Sequence, residues 1–422
     1  MSIIKNIPKG WEEVVLGDAV EILSSKRIFA SDYVQEGVPF YRSKEIIEKA
    51  KGEEISTPLY ISKKRFEEIK NSHGYPVNGD LLISAVGERS GIPYYVKNDS
   101  DFYFKDGNLI WFRNFTEKLN SEYLCYFLKS RIGQYKLNSL MIGSAYKALT
   151  IVGLKSMDLT LPPPIEQKSI AEILVSFDNK IELLKAQNKT LEEMAQTIFK
   201  EWFGKYSVDD ALPEGWRIFQ LNELVAAVNG YSYKGSELVE YSDEVLVTLK
   251  SFDRNGGFQT RGFKPFRGNP KENQEVKIGD LVVAHTDLTQ DAEVLGNPAF
   301  IFDDGGFKKM YITMDLVKVV SIHKDISSSF LYYLMKDKAF KGHCVGYSNG
   351  TTVLHLSKKA IPEYQLLLPI DFSLIKRFSE IADSTTTKIS LNKTTIKSLT
   401  QTRDELLPRL MSGEVRVNEF KK

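Results

Sequence analysis

Cysteine is nearly absent from this 422-residue chain, which has only Cys125 and Cys344. That excludes a disulfide framework and a cysteine-rich metal site, and it fits a reducing compartment. Histidine is scarce as well. His73, His285, His323, His343 and His355 show no metal-ligand spacing. No apolar run reaches the roughly 18 residues of a spanning helix, and the N-terminus lacks an apolar signal segment. A cytoplasmic protein is therefore expected. No Gly-x-x-x-x-Gly-Lys-Ser/Thr run is present, so nucleotide hydrolysis is not expected. An excess of one charge sign is also missing. The 56 Lys and Arg face 55 Asp and Glu, for a net charge of +1. Any nucleic-acid patch must then be local. The adjacent pair His343-Cys344 has no counterpart in the first half, and adjacent residues make poor nucleophile–base pairs. A structural cysteine is expected there, with no catalysis, metal or cofactor of the chain's own.

What the chain does contain is a copy of itself. Pro8-Lys9-Gly10-Trp11 returns as Pro213-Glu214-Gly215-Trp216, and Leu16 as Leu221. Gly79-Asp80-Leu81 returns as Gly279-Asp280-Leu281, and Gly143-Ser144-Ala145 as Gly350-Thr351-Thr352. Leu149-Thr150 returns as Leu356-Ser357. Each half closes on a Leu-Pro pair, Leu161-Pro162 and Leu368-Pro369, followed by a long helical pattern. A repeat of roughly 205 residues is too long for a solenoid and marks a duplicated domain-plus-helix unit. Two copies of one domain suit a partner touched at two places.

The helical patterns are regular. Ile170, Leu174, Phe177, Ile181, Leu184, Asn188, Leu191, Ala195, Ile198 and Trp202 follow alternating steps of four and three. In the second half Ile375, Phe378, Ala382, Thr385, Ile389, Asn392, Ile396, Leu399, Arg403 and Leu406 do the same, with more polar positions. Such spacing over several heptads predicts a coiled coil. Each stripe needs cover, and the other stripe is the natural partner, antiparallel by the symmetry of a duplicated unit. Ten in-phase positions in each disfavour two amphipathic helices buried separately. The first helix should start after Pro162-Pro163-Pro164, carry Glu166 in its first turn and stop at Gly204. Pro408 should end or kink the second. A helix over 166–203 would be roughly 57 Å long, a ruler on the scale of duplex DNA.

The globular halves read as β-rich with short helices, so the class is α+β. Asp80–Val86, Asp280–Ala284, Asn108–Phe112 and Ile312–Val320 are predicted strands. Tyr123–Leu128 and Phe330–Met335 are predicted helices whose aromatics belong to the core. The skeletons match while the polar loops do not. Ser24-Ser25-Lys26-Arg27 stands where the second half has Tyr231-Ser232-Tyr233-Lys234, and Val86-Gly87-Glu88-Arg89-Ser90 where it has Thr286-Asp287-Leu288-Thr289. One scaffold with two loop sets should read two different things. The candidate contacts in half one are Lys26, Arg27, Arg42, Lys44, Lys63, Lys64, Arg65, Arg89 and Lys147. In half two they are Tyr233, Lys234, Lys250, Arg254, Arg261, Lys264, Arg267, His285, Asn349 and His355. Arginine suits guanine edges, Asn or Gln adenine, and Lys or Ser/Thr phosphates. The clusters Lys63-Lys64-Arg65 and Arg261…Lys264…Arg267 stand out from the single residues.

Over nearly its full length the chain resembles the specificity (S) subunits of type I restriction-modification enzymes. The resemblance is carried by Leu161-Pro162-Pro163-Pro164-Ile165-Glu166-Gln167, Ile181-Glu182-Leu183, Gln187-Asn188-Lys189-Thr190-Leu191-Glu192-Glu193 and Thr197-Ile198-Phe199-Lys200-Glu201-Trp202-Phe203, followed by Leu212-Pro213-Glu214-Gly215-Trp216. Leu406–Val415 looks like the family's C-terminus. The resemblance implies two target recognition domains, 1–162 and 206–368, each reading half of a split DNA sequence. Conserved helices at 163–205 and 369–422 would form an antiparallel coiled coil fixing the spacer. Two methyltransferase subunits and the restriction subunits would dock, bringing methyl donor and ATP with them. The recognition loops transfer no base-contact residue by motif. The competing readings are a tandem-module protein–protein scaffold and a stand-alone nuclease or methylase.

Overall fold

The computed structural model describes residues 7–143, 147–206, 208, 211–252 and 257–417. The chain divides into two compact units, Met1–Ile181 with Leu399–Lys422, and Glu182–Ser398. Both have the same α+β plan.

In the first unit Glu12–Val15 pairs antiparallel with Asp158–Leu161. One sheet runs Glu21–Leu23, Leu109–Arg113, Leu81–Ser84, Pro93–Tyr95, and another runs Tyr33–Val34, Tyr60–Ile61, Val38–Tyr41, Tyr103–Phe104. In the second unit Trp216–Gln220 pairs with Gln365–Pro369. Its sheets run Val225–Asn229, Leu316–Ser321, Leu281–Ala284, Pro298–Phe300, and Lys264–Pro265, Glu244–Val247, Lys309–Ile312, Glu275–Val276. Each second sheet holds one parallel pairing, Val38–Tyr41 with Tyr103–Phe104 and Glu244–Val247 with Lys309–Ile312.

The Gly-Asp runs become strands buried on both faces. Leu81 and Ile83 face the core built around Tyr123, Leu124 and Phe127, while Leu82 faces Phe104 and Trp111. Leu281 and Val283 face Phe330 and Leu331, while Val282 and Ala284 face Val245 and Ile312. Two buried faces explain why these strands read as unbroken apolar runs. Their entry turns are the same. Gly79 and Gly279 have φ of +97° and +94°, the left-handed region glycine enters freely. Asp80 and Asp280 then accept from the N–H of Val77 and Lys277 at 2.9 and 2.8 Å. The Pro-x-Gly-Trp turns also coincide, with Trp11 N–H on Pro8 O and Trp216 N–H on Pro213 O. The stretch expected as one strand over Ile312–Val320 is two, Lys309–Ile312 and Leu316–Ser321. The chain turns at Thr313, whose carbonyl accepts from Leu316 N–H at 2.8 Å, and the two pieces join different sheets.

The first long helix spans Pro164–Phe203, with proline at the position where a missing N–H costs nothing. Gln167 is fully buried and satisfied. Its carbonyl accepts from Asn120 N–H at 2.9 Å, and its amide donates to Lys118 O and Pro162 O at 2.8 and 2.9 Å. Gly204 follows the last turn as expected. The second long helix spans Ser373–Ser412. It runs through Pro408 rather than ending there, and stops before Gly413. The last turn buries Leu410 and Met411 in the first unit's core. Burying those two side chains, at roughly 1.5–3 kcal/mol each, offsets the roughly 3 kcal/mol cost of an interior proline.

The helices pair antiparallel inside each unit. In the first unit Arg403 meets Asp178 at 2.5 Å. In the second, Asn392 meets Asn188 and Phe378 meets Phe203. Residue numbers fall along one helix as they rise along the other. Of the expected seam, Ile181, Leu184, Ile389 and Asn392 are buried, and Asn188, Leu191, Ile198, Ile396, Leu399 and Leu406 are half-buried. The helix ends enter the domain cores, Ile170 and Leu174 beside Leu410, and Phe199 and Phe203 beside Ile375 and Phe378. No helix among the described residues is long and apolar enough to cross a membrane.

Candidate nucleic-acid interface

The mismatched loops leave each unit at corresponding ends of its strands. In the first unit the segment after Leu81–Ser84 meets the hairpin before Leu149. Val86 bridges to Ala148, Ile142 bridges to Ala148, and Gly87 N–H donates to Lys147 O at 3.2 Å. In the second unit the same place holds a small sheet, Thr286–Asp287, Leu354–Leu356, Ser348–Asn349. Thr286 pairs with His355 and Asn349 with His355. These pairings gather Arg89 with Lys147, and His285 with Asn349 and His355. Arg89, Lys147, Asn349 and His355 are exposed. The Ser144-Ala145 and Arg254 positions lie outside the described residues.

Other candidates are held by partners. Arg27 Nε donates to Asp106 at 2.9 Å yet keeps 69% of its side chain exposed. Lys26 donates its backbone N–H to Tyr103 Oη at 2.7 Å, leaving its ammonium exposed. Arg42 is clamped. Its Nη2 donates to Glu45 Oε1 at 2.5 Å and to Thr57 Oγ1 at 2.9 Å. The Glu45 carboxylate is fully buried. Burial raises its pKa, but hydrogen bonds from Arg42 and Thr57 leave it below the usual carboxylate value. Removing Arg42 would strand a buried charge, so its first task is structural. Lys44 lies 3.9 Å from Glu48.

Lys63 and Lys64 open the helix Lys63–Ser72, capped by Ser62 Oγ accepting from Arg65 N–H at 3.2 Å, and both are exposed. Arg65 pairs with Glu68 at 3.1 Å. Cations in a first turn oppose the helix dipole, so this pair costs the helix stability and suits an external anion. In the second unit Lys264 donates to Tyr233 Oη at 2.9 Å. Lys234 and Arg267 tie their backbone N–H groups to Glu237, to its carboxylate and its carbonyl, and are exposed. Lys250 and Arg261 face a cleft of about 650 Å³ with Gln259, Leu288 and Thr289.

Asp287 organises that rim. Buried, it accepts from the N–H of Thr289, Val294 and Leu295 at 2.8, 2.6 and 3.0 Å. His285 is half-buried, with its Nε2 enclosed and without a hydrogen-bond partner among the described residues. Burial, then the neighbouring His355 and Lys358, hold its pKa below the ordinary imidazole value. The pattern of basic loop residues could not single out Gln259, Val86 or Ile142. The available signal was two large apolar residues, Val86 and Ile142, each next to a loop glycine. His343 Nε2 is 2.8 Å from Ala360 O and its ring stacks on Tyr347, while burial pushes the Cys344 thiol up to about 12. The pair is structural. Among the described residues no group of three His, Cys, Asp or Glu is placed to hold a metal ion.

Residues 8–193 match the family model of the type I restriction modification DNA specificity domain. The MjaVIII specificity subunit of Methanocaldococcus jannaschii is 24% identical over 440 residues, covering 98% of this chain and 95% of that one. The HindI specificity subunit of Haemophilus influenzae is 25% identical over 400 residues, covering 80% and 86%. The solved S subunit from M. genitalium has the same fold, with a TM-score of 0.61 at 16% identity over 97% of this chain and 98% of its own. With a duplicated α+β plan, antiparallel helix pairs and divergent loops, the chain is similar over nearly its whole length to the specificity subunits of type I restriction-modification systems, and its residues 8–193 match their DNA specificity domain.

Proposed function

We propose that this chain is the DNA-recognising subunit of a type I restriction-modification complex. It binds a bipartite, asymmetric double-stranded target, one half per recognition domain, 1–162 and 206–368. The observation that carries this reading is the contrast at the loops. Identical turns and doubly buried strands end in Val86, Ala148 and Ile142 in one unit, and in Thr286, His355 and Asn349 in the other. A symmetric partner would call for matching loops. An asymmetric sequence calls for unlike ones.

The long helices, 163–205 and 369–422, set the unspecified spacer and offer docking surfaces to two methyltransferase subunits, which the restriction subunits join in the cytoplasm. The chain itself contributes no catalytic step. Methyl donor and ATP belong to those partners. Exposed cations at Lys26, Arg27, Lys63, Lys64, Arg89 and Lys147 serve the phosphate backbone, a contact that weakens steeply as salt rises.

A footprint of the assembled complex tests the reading. The expected result is protection of a split, asymmetric site, with affinity falling about a thousandfold or more between low and moderate salt. Inserting one heptad in both helices should lengthen the spacer or abolish binding. Salt-independent association without sequence preference would favour a protein–protein scaffold.

A further inference from the structure

Directly opposed residues of antiparallel strands carry their side chains on one face. The bridges therefore set Val86, Ala148 and Ile142 in a single row across the first unit's loops. Val86 is 40% exposed and Ile142 60%. In the second unit Thr286, His355 and Asn349 form the corresponding row, with Thr286 Oγ1 3.4 Å from His355 Nδ1. Both rows join the segment after the doubly buried strand to the hairpin before Leu149 or Leu356. One is apolar, the other rich in donors and acceptors. The apolar row is flanked by exposed Arg89 and Lys147, neither in an ion pair with a described residue. Glu88 is the single acidic side chain in 86–91 or 141–149. An exposed apolar strip between cations fits a polyanion that also presents apolar groups.

We propose that these two rows read base edges of unlike chemistry. Val86 and Ile142 pack on thymine methyl groups in one half-site. Asn349, with His355 beside it, hydrogen-bonds the N6/N7 edge of adenine in the other. The proposal rests on the DNA-recognition reading above. In the major groove thymine alone offers a methyl group, which a side chain without hydrogen-bonding atoms can still select. Adenine presents one donor and one acceptor there, matching the acceptor and donor of a carboxamide. The rows thus extract different information from one backbone position.

The test uses the full-length chain assembled with its methyltransferase partner on its own target duplex. Each thymine of one half-site is replaced in turn by uracil, which lacks only the methyl. Each adenine of the other is replaced by 7-deazaadenine, which lacks the N7 acceptor. At one position uracil should weaken binding about three- to tenfold. The Val86→Ala/Ile142→Ala variant should not respond to that replacement. At one position 7-deazaadenine should weaken binding about five- to fiftyfold, and Asn349→Ala should not respond. Val86→Thr, nearly isosteric, and Asn349→Ser repeat the comparison should a truncated variant fold poorly. Base replacements that never act, or that act equally on wild type and variant, overturn the proposal. A wild-type complex that does not distinguish its target from a scrambled duplex overturns the underlying reading instead.

Discussion

The side-chain amide of Asn392 donates to Asn188 Oδ1 at 2.8 Å and to Gln187 Oε1 at 3.0 Å, with Ile389 and Ile396 on either side of it along the seam. Asn392 is 3% exposed. A carboxamide buried on the seam is satisfied in one register only, so it selects that register at some cost in stability. Asn392→Ala should cost about 1 kcal/mol, since it removes the two hydrogen bonds to Asn188 and Gln187 and leaves the half-buried Asn188 oxygen without its donor. The double change Asn188→Leu/Asn392→Leu should recover that loss while loosening the pairing. Denaturant unfolding of the single and double variants measures the coupling. Strictly additive losses would count against the pair.

The second expectation concerns pH. His285 has a lowered pKa in the folded chain, mainly from burial and then from His355 and Lys358. Well above the ordinary value of 6.5 both states are neutral, and His285 adds no pH dependence. As pH falls through that value the unfolded chain takes up a proton that the folded ring resists. Stability is therefore lost between 6.5 and the lower folded pKa. His285→Gln should remove that component. The check is the unfolding midpoint at about pH 7.5 and pH 5.5, with a smaller drop expected in the variant.

Gly413 ends the second long helix at φ +73°, and a Cβ there would lie 2.7 Å from Pro8 Cγ and 3.1 Å from Trp11 Cζ2. Gly413→Ala should cost about 1–3 kcal/mol through backbone strain and the clash. Gly52 has nearly the same φ, +70°, with nothing within 4 Å. Gly52→Ala isolates the backbone part and should cost less. Equal losses in thermal unfolding would refute the contact.

Pro408 interrupts the hydrogen-bond ladder of a helix held by its buried last turn. Pro408→Ala restores an N–H four residues after Asp404. It should stabilise the first unit by about 1–3 kcal/mol, read as a raised unfolding midpoint.

The long helices were legible because a 3.5-residue stripe needs only local counting. Leu81–Ser84 and Leu281–Ala284 were legible because burial on two faces leaves unbroken apolar runs. The break after Ile312 was not, since it reflects a switch between two sheets rather than a local turn signal. Pro408 does not end the helix, because the burial of Leu410 and Met411 outweighs the local backbone cost. At the interface the basic loops could be named, but not the task of each side chain. Arg42 gave no hint that Glu45 would clamp it. The row of Val86, Ala148 and Ile142 depends on pairings between distant segments, which no local pattern encodes.

Trp216 packs against Phe203 and Tyr206 at the end of the first long helix, with ring centroids 6.5 and 6.4 Å apart. Trp11 sits in the same way against Gly413, at the end of the second. Arg416 reinforces that seat, donating to Glu166 at 2.6 and 2.7 Å and to Lys9 O at 3.0 Å. The seat that follows each long helix is thus made twice, once by a chain running straight on from Phe203 to Trp216 and once between Pro8–Trp11 and Gly413–Arg416, which lie some 400 residues apart in sequence.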